Sequence, residues 1–71
     1  MKRYLDKAGN SGVESYQVST DTIRVKFKTG QTYTYSYRSA GAQHIEQMKL
    51  LAEEGRGLAT YINKYVRDNY E

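Results

Sequence analysis

The chain has no cysteine and no proline, and histidine occurs once among its 71 residues. Without cysteine there is no disulfide, no thiolate metal site and no cysteine nucleophile, a composition that fits a reducing compartment. A single histidine, His44, and no DxDxDG-type loop leave too few ligands for a metal centre. No apolar run approaches the roughly 20 residues that span a bilayer. The opening Met1-Lys2-Arg3-Tyr4-Leu5-Asp6 has basic residues but no apolar stretch behind them, so no signal peptide is expected. Neither a membrane segment, a metal nor a cofactor is expected, and the default location is the cytoplasm.

Catalytic groups are equally sparse. No Ser-His-acid set can be placed, and Asp21, Glu46, Glu53 and Glu54 show no pairing of the kind that shifts a pKa. Glu53-Glu54 falls at the end of an expected helix, where negative charge is unfavourable, and the plain reading is two solvated carboxylates. His44 falls on a helix edge, where a surface role is commoner than general-base work. A non-enzymatic protein is expected.

What the chain does have is tyrosine and a mild excess of positive charge. Eight of its nine aromatic residues are tyrosine, and the formal net charge is +3 with a pI near 9.2. Tyrosine can fill a core while its hydroxyl reaches water, so a small domain poor in Leu and Ile can use it in their place. The charge is a weak pointer to polyanions. This length makes one domain, close to the lower limit at which a single core suffices.

Residues 1–12 combine scattered charge with Gly9-Asn10-Ser11-Gly12 and read as a flexible tail, with Tyr4 and Leu5 as docking candidates; Lys2, Arg3 and Lys7 offer a basic arm, a solvated terminus being the preferred reading. The domain is expected over 13–71. Val13 to Val18 reads as a strand with Tyr16 and Val18 on one face, followed by turn chemistry at Ser19-Thr20-Asp21-Thr22. Thr22 to Tyr37 is the centre of the sequence: two alternating runs joined at Thr29-Gly30, the signal for a β-hairpin. Ile23, Val25 and Phe27 share one face of its first strand, and Arg24, Lys26 and Lys28 share the other. A short loop after Val18 sets Val18 opposite Ile23 and Tyr16 opposite Val25.

The length of the second loop decides where Tyr33, Tyr35 and Tyr37 go, because opposed residues share a face. A two-residue loop, Thr29-Gly30, pairs Lys26 with Tyr33 and Arg24 with Tyr35, which places the tyrosines among the basic side chains. A three-residue loop, Lys28-Thr29-Gly30, with Gly30 left-handed in a G1 bulge, pairs Val25 with Tyr33 and Ile23 with Tyr35. The second alternative is favoured: glycine suits the bulge position, and threonine is poor where an I′ turn needs positive φ.

Beyond the hairpin, Ser39 is a candidate N-cap for a helix from Ala40 to Glu54. Gly41, Ile45, Met48 and Ala52 line its apolar stripe, with Leu51 and His44 at the edge. Leu50 points elsewhere. Gly55 is the natural left-handed residue after it. A second helix is expected over Leu58 to Asn69, with Leu58, Tyr61, Ile62, Tyr65 and Val66 at i, i+3, i+4, i+7 and i+8. The expected fold is therefore α+β: a three-stranded antiparallel meander followed by two α-helices packed on one face.

Three pieces in order carry a family resemblance: Ile23-x-Val25-x-Phe27-x-x-Gly30, then Tyr33-Thr34-Tyr35, then Tyr61-Ile62-Asn63-x-x-Val66-Arg67-x-x-Tyr70. The chain resembles the small KTSC domain family, found alone or at the C-terminus of some lysyl-tRNA synthetases; the last piece is similar to that family's closing Tyr-Phe-Asn-x-x-Ile-Arg-x-x-Tyr. Arg38-Ser39 stands where the family has Val-Pro, and Gly55-Arg56-Gly57 replaces a serine before the glycine between the helices. The resemblance implies a β-β-β-α-α domain of bacterial or phage origin. It implies little biochemistry, RNA binding being a suggestion made for the family.

Two binding readings follow from the residues. A sheet face carrying Arg24, Lys26 and Lys28 beside Thr32, Thr34 and Ser36 can follow a phosphate backbone, with Arg56, Lys64 and Arg67 as further nucleic-acid contacts; an ordinary solvated β-face has the same composition. With the tyrosines in the core, such binding would lack base stacking and be indifferent to sequence. Gly55-Arg56-Gly57, ahead of a helix, can also hold an anion. The alternative is a protein-interaction or homodimer module that uses a sheet edge, free of proline here, with Leu50 and Tyr70 as candidate contacts.

Overall fold

The computed structural model describes residues 1–71. The centre of the molecule is the hairpin of β3 (Thr22–Phe27) and β4 (Thr32–Ser36), flanked by β2 (Val13–Val18) and β1 (Lys2–Arg3) in one antiparallel sheet of order β1-β2-β3-β4. The hairpin takes the three-residue loop. Gly30 N–H donates to the Phe27 carbonyl at 2.9 Å, Phe27 N–H to Gln31 at 2.8 Å, and Gly30 sits at φ +98°. That register pairs Ile23 with Tyr35 and Val25 with Tyr33, so Tyr33 and Tyr35 join the apolar face. Tyr35 is buried; Tyr33 lies against Phe27 and Tyr70 with ring centroids 5.8 and 4.6 Å apart.

Strand β2 pairs as its pattern predicts, Val18 with Ile23 and Tyr16 with Val25. Strict alternation would then send Val13 to the face opposite Tyr16. A bulge intervenes: Val13 pairs with Phe27 and Ser15 with Lys26, leaving Glu14 as the extra residue. Val13 thereby enters the core.

The meander has four strands rather than three, because the segment read as a tail supplies β1. Lys2 pairs with Tyr16 and Arg3 with Ser15, and Tyr4 N–H donates to the Glu14 carbonyl at 3.0 Å. With Lys2 on the core side of the sheet, Tyr4 follows two residues later on the same side and is only 3% exposed. Leu5, the other docking candidate, keeps 64% of its surface exposed yet packs closely on Gly55.

The first helix also starts earlier than expected and in two parts. Ser36 is the N-cap: its hydroxyl accepts from Ser39 N–H, and Ser39 Oγ accepts from Ser36 N–H, both at 3.0 Å. Ser39 is thus the third helical residue of α1 (Tyr37–Ala40) and closes a capping box from inside. Gly41, at φ +97°, separates this turn from α2 (Ala42–Glu54), which buries Ile45, Met48 and Ala52 as its spacing predicts. Tyr37 leaves the strand's tyrosine row; it is exposed and its hydroxyl donates to Glu46 at 2.6 Å.

Gly55 closes α2 at φ +78°, its N–H donating to the Leu51 carbonyl. The last helix begins as α3 (Leu58–Tyr61) and continues as a π-turn over Ile62–Val66, short of the expected Asn69. The i→i+5 bonding of a π-turn widens the helix, so residues four apart come into line and those three apart swing aside. Leu58, Ile62 and Val66 are accordingly buried, Tyr61 is half-buried and Tyr65 is 48% exposed. The core of twelve residues lies between this helical layer and the Ile23–Val25–Tyr35 face of the sheet.

Candidate nucleic-acid interface

Because the helices cover one face only, the sheet's other face is open, and the ladder fixes what it presents. One row runs Arg3, Ser15, Lys26, Thr32 across all four strands; the next runs Gln17, Arg24, Thr34. Directly opposed residues in these rows point the same way. Ser15 is nearly covered, its hydroxyl facing the Met1 sulfur at 3.7 Å. No aromatic ring belongs to either row.

The basic residues of this face are not equivalent. Lys26 meets Glu14 at 3.5 Å, with both side chains substantially exposed; a pair of this kind holds its partners weakly. Lys28 lies at the hairpin end, 3.2 Å from Asp6. The Asp6 carboxylate also accepts from Ser11 N–H at 3.1 Å and Gly9 N–H at 3.2 Å. Burial alone would push this carboxyl up, but the Ser11 N–H, the Lys28 ammonium and the Gly9 N–H together hold it below the usual carboxylate range. Lys28 is therefore committed to the Asp6 loop, whereas Arg24 and Arg3 have no acidic partner.

The six basic residues singled out from sequence do not form one surface. Arg24 and Lys26 share the open sheet face, and Lys28 stands at its end. Arg56 lies between α2 and α3, and Lys64 and Arg67 lie on and just beyond the π-turn, in the layer behind the sheet. The Lys64 ammonium sits 5.3 Å from the Tyr65 ring centre, a cation–π contact that fixes it locally. Arg3, read from sequence with Lys2 and Lys7 as a basic arm on a solvated terminus, instead joins the sheet face opposite Ser15.

His44 is part of an aromatic group on the helical side. Its Nδ1 lies 2.6 Å from the Tyr61 hydroxyl, and its ring stacks on Tyr65 at 5.7 Å and 27°. Burial, and then the neighbouring Tyr65, push the Tyr61 hydroxyl pKa up. On the far side of α2, the Tyr37 hydroxyl bond to Glu46 pulls that carboxyl down, and Lys49, 2.9 Å away, acts in the same sense. The same hydrogen bond, with some burial, pushes Tyr37 up. Each of these shifts is explained by the group's own neighbours. No three His, Asp or Glu side chains come together as metal ligands, and no helix is long and apolar enough to cross a membrane.

The two sheet edges differ as well. Along β4, Glu71 N–H donates to the Thr34 carbonyl at 2.7 Å and the Ser36 hydroxyl meets the Glu71 carboxylate, so that edge is already engaged. The other edge is the two-residue β1. No protein family matches the chain, and no curated protein or solved structure does so either.

Proposed function

We propose that the chain is a non-enzymatic, KTSC-like binding module that holds the phosphate backbone of RNA, or of another single-stranded nucleic acid, on its open sheet face in the cytoplasm. The observation that carries this reading is the pair of adjacent ladder rows that set Arg3, Arg24 and Lys26 among Ser, Thr and Gln side chains. Hydroxyls and amides beside guanidinium groups suit phosphate oxygens. Since Tyr33 and Tyr35 are turned to the core, bases on this face find no ring to stack on, and affinity rests on charge. Binding on this account is weak, steeply salt-dependent and indifferent to sequence.

The test is a salt titration of binding to a short single-stranded RNA by fluorescence anisotropy. Each phosphate contact contributes about 0.7 to the slope of log K against log salt, so Arg24→Glu with Lys26→Glu should lower that slope by about 1.4. Lys28→Glu should change it much less, because Asp6 already engages that ammonium. Equal effects of all three reversals, or no effect, would contradict the proposal. The sheet-edge reading has less to stand on, since Glu71 occupies the β4 edge and β1 offers two residues. A monomer in sedimentation at all concentrations is the expected companion result.

A further inference from the structure

The segment that precedes β2 does more than add a strand. Residues 4–7 are laced to the connection between α2 and α3 at three points. The Tyr4 hydroxyl accepts from Leu58 N–H at 3.3 Å, Lys7 N–H donates to the Gly55 carbonyl at 2.7 Å, and Leu5 packs directly on Gly55. The chain then turns away through the loop held by Asp6 before entering β2. Between that loop and the start of the last helix lies a cleft of about 500 Å³, within the range of roughly 300–1,000 Å³ typical of small-ligand sites.

The lining is polar, with Arg56 as its cation and Asp6 as its carboxylate. Arg56 stands on one wall, with Asn10 and Ser11 from the loop and Thr60 and Asn63 from the last helix around it. Lys7 and Arg56 line an adjoining hollow that shares Ala8 with the main cleft. Neither cation has an acidic partner. The one carboxylate on the wall, Asp6, is already engaged by Lys28 and two backbone N–H groups. An anion in the cleft would thus meet a guanidinium, two amides and two hydroxyls, with the Lys7 ammonium in the adjoining hollow on the other side of Arg56 and the one carboxylate already paired. A planar guanidinium beside a point-charge ammonium suits a dianionic, tetrahedral group better than a single carboxylate. Few apolar side chains are present to read a base.

We propose that this cleft binds a phosphate monoester, with Arg56 and Lys7 as its charge partners and Asn10, Thr60 and Asn63 as neutral polar partners. The site is distinct from the open sheet face, and either can fail without the other. The phosphate can come from a free phosphorylated small molecule or from the terminal phosphate of an oligonucleotide, which present the same group to the cleft.

The test is an amide-resolved NMR titration of the full chain at fixed ionic strength. Its probes are inorganic phosphate, adenosine 5′-monophosphate, and a trinucleotide RNA with and without a 5′-phosphate. Saturable shifts confined to residues 7–12 and 56–63, weakened about tenfold by Arg56→Gln and less by Lys7→Gln, are the expected result. Equal affinity for the mononucleotide and the phosphorylated trinucleotide marks a free small molecule as the source; preference for the trinucleotide marks a nucleic-acid end. Both side chains are exposed, so the variants should fold, and an unchanged amide spectrum elsewhere checks this. No saturable shift with any phosphorylated probe would overturn the proposal. So would binding that Arg56→Gln and Lys7→Gln both leave at the wild-type level.

Discussion

Single residues decide several of the outcomes above. Gly55 carries the densest local demand: φ is +78°, and a Cβ there would stand 2.6 Å from Leu5 Cβ. A left-handed non-glycine residue costs about 1 kcal/mol, and the contact with Leu5 adds to it. Gly55→Ala is expected to destabilise the fold by about 2 kcal/mol and to loosen residues 4–7, measured as lower urea midpoints and faster amide exchange at Lys7. Asp6 makes a pH prediction of definite sign. Its folded-state pKa is lowered, so its contribution is present above the unfolded-state value and is lost as pH falls through the folded one. Wild type should lose its stability advantage over Asp6→Asn progressively below about pH 4, as read from urea unfolding at stepped pH. A constant difference from pH 7 down to 2 would contradict the arrangement at Asp6. Tyr35, pushed up to about 12 chiefly by burial and then by Tyr33, Tyr70 and Asp68, belongs at the opposite end of the scale. It supports the fold below its unfolded-state pKa and loses that support as pH rises toward 12.

At the scale of elements, β1 shows how a short piece of chain becomes structural through one side chain. Tyr4 belongs to the core, and its hydroxyl accepts from Leu58 N–H beside Gly57, which has no side chain to cap the helix start. Tyr4→Ala should therefore cost about 3 kcal/mol and leave α3 less protected from exchange than α2; equal losses in both helices would count against this role. The contrast with β3 and β4 explains what was legible in advance. Six residues of β3 and five of β4, alternating on either side of a glycine-bearing loop, specify strand, register and face at once, so the placement of Tyr33 and Tyr35 followed from turn chemistry. Two residues of β1 offer no such period, and Gly9-Asn10-Ser11-Gly12 behind them reads as a break. The bulge at Glu14 and the π-turn over Ile62–Val66 were hidden for another reason. Each adds one residue to a regular element, and only packing against the rest of the core selects it. Ser36 was overlooked as a cap because it also completes the alternation of β4. The candidate site was legible by type but not by partner: sequence supplied Arg24, Lys26 and Lys28 as one row, while only the folded chain sets Lys28 against Asp6 and brings Arg3 from the terminal arm onto the same face.

Over the whole molecule, the basic residues that have no committed acidic partner and sit among polar side chains fall in two regions. Arg3, Arg24 and Lys26 lie on the open sheet face, while Lys7 and Arg56 stand at the cleft beside the last helix. A net charge of +3 is small for nucleic-acid binding, which makes this distribution more informative than the total. The measurement that tests the central claim most directly is an amide-resolved NMR titration with an unphosphorylated mixed-sequence single-stranded RNA, at low and at physiological salt. Shifts that track Arg3, Ser15, Gln17, Arg24, Lys26, Thr32 and Thr34, and collapse as salt is raised, are the predicted result. Shifts on the helical side, shifts insensitive to salt, or none at millimolar RNA would contradict it.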